Sequence, residues 1–327
     1  MSQLCLTFGD PQLIIINTKF SLRISKNILV EASLLLVAVI WALNFSVVKS
    51  TLSELDPLSF NGLRFIFAAV MVWGLLIYKG QTFSIPREDW LPLLGVGLLG
   101  NLIYQGLFII GIDYTHAANA AVMLGTTPIW VALFSHFFSM EKMNMLKSLG
   151  VLLAFGGIVF LVSGGSESLS LGSDTFFGDL VVLTAAIVWG GYSILSKTFL
   201  DRYSPIQFSA IMASIGSVVL FLIGLPNILE LHWSEISVSA YGGLVYSGLI
   251  SIGIAYLIWN YGLQKVGAVH TATYQNLVPV LGMIFGIVLL NEKLTILQFI
   301  GSGLVISGIV LARWKKEKDK DKIPARA

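Results

Sequence analysis

Apolar residues run through this chain in long stretches, each ended by a short break that carries Pro, Gly or charged residues. Ten of these stretches are long enough to cross about 30 Å of hydrocarbon as a helix. They are Ile28–Val48, Leu58–Ile77, Leu91–Ile112, Ala117–Phe138, Leu146–Val162, Phe177–Leu195, Ile206–Leu225, Tyr241–Tyr261, Ala268–Leu290 and Ile296–Ala312. In lipid only structures that satisfy their own backbone survive, so runs of this kind predict helices. The expected fold is all-α and integral to a membrane. Before the first span, the apolar run Leu13–Ile16 is too short to cross, and the basic, apolar, small-residue order of a secretory signal is missing. Residues 1–27 therefore read as a cytosolic tail.

Composition points the same way. The chain is 56% hydrophobic and only 12% charged, with mean hydropathy +0.83, whereas water-soluble domains carry roughly a quarter charged residues. With the amino terminus inside, 17 of the 20 Lys and Arg residues fall on the inner side and only Lys49, Arg64 and Lys293 outside. This asymmetry predicts cytoplasmic termini and a place in the cell membrane. The lone Cys5 rules out an intrachain disulfide, and a net charge of +2 without a basic patch argues against nucleic acid as a partner. Residues 314–327 form a basic tail that reads as a solvated stop-transfer segment.

The chain also resembles itself. Trp41, Lys49, Pro57 and Phe60 recur as Trp189, Lys197, Pro205 and Phe208, at 189 − 41 = 148. Gly111, Ala117, Pro128, Glu141, Lys142, Gly150 and Gly157 recur as Gly262, Ala268, Pro279, Glu292, Lys293, Gly301 and Gly308, at 279 − 128 = 151, so a three-residue insertion separates the two blocks. Five spans per half is an odd number, which turns the second copy over in the membrane. Inverted repeats of this kind let a site at their interface open to either side in turn. The expected architecture is ten transmembrane helices as two inverted five-helix repeats, 28–163 and 176–313.

Several local sequences in this order are similar to the EamA-type transporters of the drug/metabolite transporter superfamily. They are Trp41-Ala-Leu-Asn44, Pro57 with Leu63-Arg64-Phe65, Tyr114-Thr115 leading into Ala117–Ala121, Gly178-Asp179, Tyr256–Gly262, Gly267-Ala268-Val269 and Glu292-Lys-Leu-Thr. The resemblance implies two EamA domains around a central cavity that moves amino acids, nucleotide-related metabolites, sugars or drugs, without choosing among them.

Polar side chains inside a membrane are costly and tend to face the bundle interior, so those at mid-span are candidates for a solute path. Helical spacing sorts them: Trp41 with Asn44, Trp189 with Tyr192, Asn101 with Tyr104 and Gln105, Tyr256 with Trp259 and Asn260, and Asn119 with Thr127. The offset of 151 adds Tyr274, with Gln275 adjoining. The substrate-binding set is thus Trp41, Asn44, Gln105, Asn119, Thr127, Trp189, Tyr192, Tyr256, Asn260, Tyr274 and Gln275, while Tyr104 and Trp259 read as belt or packing residues. Aromatic faces with scattered amides suit an amphipathic solute. Glu31 reads as a solvated interfacial group. Arg64 would hold a carboxylate, or snorkel, or pair with an outer acid such as Asp113; the last two weigh more.

Pro128 and Pro279 each remove a helix hydrogen bond at mid-span, giving a hinge or a static kink. Gly150, Gly157, Gly301 and Gly308 would let two spans approach closely, within the chain first and otherwise in a homodimer. Glu141-Lys142 and Glu292-Lys293 read as turns before helix starts. The four histidines are scattered, with no HExxH and no GxSxG, so no catalytic, metal or cofactor site is expected. A transporter of small metabolites, operating as an exporter, is the favoured reading; a channel-like facilitator is the alternative and a membrane-embedded enzyme ranks last.

Overall fold

The computed structural model describes residues 26–82, 84–115, 117–139, 145–163, 176–281 and 295–313. Residues 1–25 and 314–327 and the pairs Glu141-Lys142 and Glu292-Lys293 lie outside the described residues, as does the side chain of Asn119. Among the described residues every regular element is helical. Six helices are long and apolar enough to cross a membrane: α1 (Lys26–Thr51), α2 (Pro57–Tyr78), α3 (Arg87–Asp113), α7 (Phe176–Leu200), α8 (Pro205–Glu230) and α9 (Val238–Val266). The rest are shorter: α4 (Ala117–Gly125), α5 (Thr127–Phe137), α6 (Met145–Ser163), α10 (Ala268–Thr273) and α11 (Ile296–Arg313).

Helix starts repeat with the sequence. Asp56 caps α2 by accepting the amides of Leu58 and Ser59, each at 3.0 Å, and Pro57 fills the first turn, where its missing N–H costs nothing. Ser204, Pro205 and Gln207 do the same for α8 as a capping box. Lys49, one of the basic residues assigned to the outside, donates to the carbonyls of Ile112, Asp113 and Thr115 at 2.9–3.1 Å. It closes the carboxyl end of α3, where a cation meets the negative end of the helix dipole.

Packing between the two halves is reciprocal. Helix α1 lies on α9 while α7 lies on α3, and the counterparts α2 and α8 pack on each other, as do α6 and α11. A Cβ placed on Gly157 would stand 2.6 Å from the carbonyl oxygen of Gly301, and one on Gly308 would stand 2.6 Å from that of Gly150. The matched glycines therefore hold α6 against α11 at backbone distance. The loops follow the same rule. Glu54 accepts the amide (2.8 Å) and hydroxyl (2.7 Å) of Ser237, the residue that caps α9. Its counterpart Arg202 pairs at 2.8 Å with Asp89, the counterpart of Ser237, where 202 − 54 = 148 and 237 − 89 = 148.

Two irregularities also come in pairs. Helix α3 widens into a π-helix over Leu98–Ile103 and α9 does so over Tyr246–Ile254. Their starts differ by 246 − 98 = 148 and their ends by 254 − 103 = 151, so the three extra residues are absorbed inside the second π segment. The proline pair has the same effect on the fourth span of each half. Helical structure breaks at Thr126, just before Pro128, and tightens into a 3-10 turn over Tyr274–Asn276, just before Pro279. A proline withdraws the donor that the carbonyl four residues earlier would use, and its ring crowds that carbonyl. Those residues are Leu124 and Gln275.

Candidate functional site

A cavity of about 500 Å³ opens where these irregular segments meet. Its wall takes Trp41, Asn44 and Phe45 from α1, Arg64 from α2, and Tyr104, Gln105 and Phe108 from α3. The kinked segments add Leu124, Gly125, Gln275 and Val278, and α9 adds Ser251, Ile252 and Tyr256. Five of the residues expected from the sequence therefore share one wall: Trp41, Asn44, Gln105, Tyr256 and Gln275. A second cleft of about 270 Å³ shares Tyr256 and Ile252 with the first and includes Tyr192, Asn260 and Asn101.

Between the two lies an aromatic cluster. The repeat-related Trp41 and Trp189 meet edge to face at 5.9 Å, and both touch Tyr256 and Trp259. Trp189 also packs on Tyr104 at 4.6 Å and stacks on Tyr192 at 4.9 Å. Tyr192 fits because Gly100, in the π segment, has no side chain; a Cβ there would fall 2.2 Å from the ring. The two tryptophans differ in their polar ends. Trp41 Nε1 donates to the Ser251 carbonyl at 3.1 Å, whereas buried Trp189 Nε1 has no hydrogen-bond partner.

A polar relay also lines the cavity. Gln105 Nε2 donates to the hydroxyl of Tyr256, which is its own counterpart, since 256 − 105 = 151. Gln105 Oε1 accepts from Arg64 Nη2 at 2.5 Å; Arg64 Nε donates to Asn61 Oδ1 at 2.9 Å and Nη1 to Ser247 Oγ at 3.2 Å. The guanidinium lies over the rings of Phe60 and Phe108, 5.1 and 5.7 Å from their centres. Arg64 is 1% exposed. It neither snorkels nor pairs with Asp113, which is itself exposed. This corrects the weighting drawn from helix rise alone, which measures depth along α2 but not the direction of the side chain.

The remaining expected residues are placed as follows. Trp189 belongs to the aromatic cluster. Asn260 donates to Ser209 at 2.9 Å and reaches only the second cleft. Thr127 is fully buried beside the break in the fourth span, outside both cavities. Tyr274 packs against Val30 and Leu34 of α1 and the ring of His270. Tyr104, read as belt or packing, lines the cavity. Phe108, which shares the face of Asn101, Tyr104 and Gln105 by helical spacing but stood outside the expected set, also lines it and is the counterpart of Trp259, at 259 − 108 = 151; Phe45 and Ser251 were not singled out. Glu31 is not simply solvated: both its oxygens approach His270 Nε2, at 3.1 and 3.3 Å, which joins α1 to α10. Among the described residues no three His, Cys, Asp or Glu side chains gather to hold a metal.

The cavity thus lies between reciprocally packed helices, beside the π segment of α9, the residues that follow the π segment of α3, and both proline breaks. The EamA-like transporter family model matches residues 29–163 and again 176–314. The chain belongs to that family. It is a multi-pass membrane transporter. An uncharacterized transporter of Bacillus subtilis is 30% identical over 277 residues, covering 84% of this chain and 93% of that one. A protein of Escherichia coli named "Probable amino-acid metabolite efflux pump" is 27% identical over 294 residues, covering 86% of this chain and 95% of that one. A solved structure titled "Crystal structure of protein" superposes with a TM-score of 0.72 at 21% identity, covering 87% of this chain and 94% of that one. That likeness speaks for the fold.

Proposed function

We propose that this EamA-family protein exports small amphipathic metabolites of the amino-acid kind across the cell membrane, by alternating access of two inverted five-helix halves around the cavity. Both termini lie in the cytoplasm and the halves span 28–163 and 176–313. The observation that carries the reading is the cavity itself: aromatic rings and amides side by side, contributed by both halves and including the repeat-related pair Gln105 and Tyr256. Rings hold the apolar part of a solute and amides orient its polar end. Reciprocal packing supports two nearly equivalent conformations, because an interaction broken in one half has a counterpart that can form in the other. The efflux pump named among the relatives supports an amino-acid-like substrate and the outward direction.

Purified full-length protein in liposomes tests this. Saturable flux of amino acids, accelerated by unlabelled solute on the opposite side, is the expected result. Large single-channel currents, or flux linear in concentration, would overturn it in favour of a channel.

A further inference from the structure

A permanently charged guanidinium buried in a membrane protein is expensive, and such a residue normally faces the counterion that offsets the expense. Arg64 has no such partner among the described residues. Its hydrogen bonds go to two amide oxygens and one hydroxyl, all neutral. No Asp or Glu appears on the cavity wall, so Arg64 is the one formal charge that the described wall carries. Three of the five guanidinium N–H bonds are used, one from each nitrogen, which leaves one on Nη1 and one on Nη2. Those two donors, one on each terminal nitrogen, remain for a solute, and a carboxylate is the anion that a guanidinium binds well.

The same wall holds complementary groups. Asn44 Oδ1 and Gln275 Oε1 are buried amide oxygens with no hydrogen-bond partner, one from each half of the chain. Buried acceptors left unmade carry a desolvation cost that an N–H donor of a solute would relieve. Trp41, Phe45, Phe108 and Tyr256 supply apolar and aromatic surface between these polar groups.

We infer that Arg64 is the anion anchor of the transport site: the cavity selects solutes with a free carboxylate, held by Arg64, and prefers those that also offer N–H donors to Asn44 and Gln275. Gln105 acts as a positioning residue, since it holds Arg64 on one side and Tyr256 of the other half on the other. The inference rests on the cavity being the transport site and assigns that site its substrate chemistry.

Titration of purified wild-type protein with matched pairs tests it: phenylalanine against phenylalaninamide, leucine against leucinamide, with 3-phenylpropanoate and phenethylamine as single-group probes. Each acid is expected to bind roughly tenfold to a hundredfold more tightly than its amide, the worth of a hydrogen-bonded charge. 3-Phenylpropanoate is expected to bind more weakly than phenylalanine but more tightly than phenethylamine. Arg64→Gln should remove the acid-over-amide preference, and Arg64→Lys should restore part of it. Equal binding of acids and amides would overturn this inference and leave the transport reading intact. Binding of no probe, together with no saturable flux of any amino acid, would remove both. Because the matched pairs need only the wild type, a variant that fails to fold does not spoil the test.

Discussion

Gln105 joins three elements through one side chain and its own carbonyl. Its amide takes an N–H of Arg64 and donates to Tyr256, while its backbone oxygen accepts from Asn61 Nδ2 at 3.3 Å. Removing one partner of such a buried set leaves the other unsatisfied, a loss of about 1–3 kcal/mol. Tyr256→Phe should therefore lower the melting temperature of the detergent-purified protein and weaken solute binding, although the ring and its packing on Trp41 and Trp189 remain. An unchanged melt and unchanged affinity would mean that the relay contributes nothing. At this scale the sequence was informative about residue type and face: Asn44, Gln105 and Tyr256, drawn from the stripes of polar residues, all line one cavity. It was poor at direction. Arg64 sits about 10 Å into α2 by helix rise, a depth compatible with snorkelling outward or turning inward, and only its neighbours Asn61, Ser247 and Gln105 decide between them.

Helices in this chain owe their separations to small residues as much as to apolar ones. Between α6 and α11, a Cβ on Gly308 would lie 2.5 Å from the backbone nitrogen of Ala154, an atom that cannot move aside as a flexible side chain would. Gly308→Ala should destabilise the protein by about 1–3 kcal/mol through overpacking, read as a lower melting temperature. Gly303→Ala on the same helix, where a Cβ meets nothing within 4 Å, should be neutral and serves as the control. Close approach of these two helices was legible in the sequence from the matched glycines. The π segments were not, because hydropathy and periodicity over a six- or nine-residue stretch barely distinguish one helical winding from another. Their trace was the change of offset from 148 to 151, which counts the inserted residues without saying what form they take. The breaks at Thr126 and Tyr274–Asn276 were foreshadowed by Pro128 and Pro279, since a missing donor can be read from sequence.

Two interactions of opposite chemistry occupy equivalent places in the whole molecule. Glu54 grips Ser237 at the start of α9, while Asp89 at the start of α3 accepts Arg202 and, at 2.6 Å, the hydroxyl of Tyr203. If the halves are inverted, the two contacts lie on opposite membrane faces, and each would then act as a latch on one access route. Glu54→Gln and Arg202→Ala should then shift the conformational balance in opposite senses. Labelling of single cysteines introduced at each end, in a Cys5→Ser background, would report this; a shift in the same sense for both would refute the opposed-latch idea. Acid should loosen both latches, since Glu54 and Asp89 are both carboxylates. The hydrogen bonds from Ser237 hold the Glu54 carboxyl below its ordinary 4.5. A lowered folded value means that its contribution is fully present above the unfolded value and is lost as pH falls beneath it. The Glu54 contact should therefore hold between about pH 6 and 8 and be lost only as pH falls through its lowered value, beneath 4.5, with the Asp89 contact weakening in acid as well.

Periodicity, composition and self-similarity by themselves determined that the chain is helical, membrane-embedded and doubled, because bilayer thickness, the scarcity of charge and a shared offset each leave a mark on the order of residues. They also named most of the aromatic and amide residues near the centre. Only the tertiary structure decided which of these face one cavity, that Trp41 meets Trp189 and Gln105 meets Tyr256, and that Arg64 points inward without an acid beside it. The reason is physical: the order of residues sets what each helix can bury, but which side chains meet across the halves depends on crossing geometry, on the π segments and on glycines that admit a neighbour's ring or backbone.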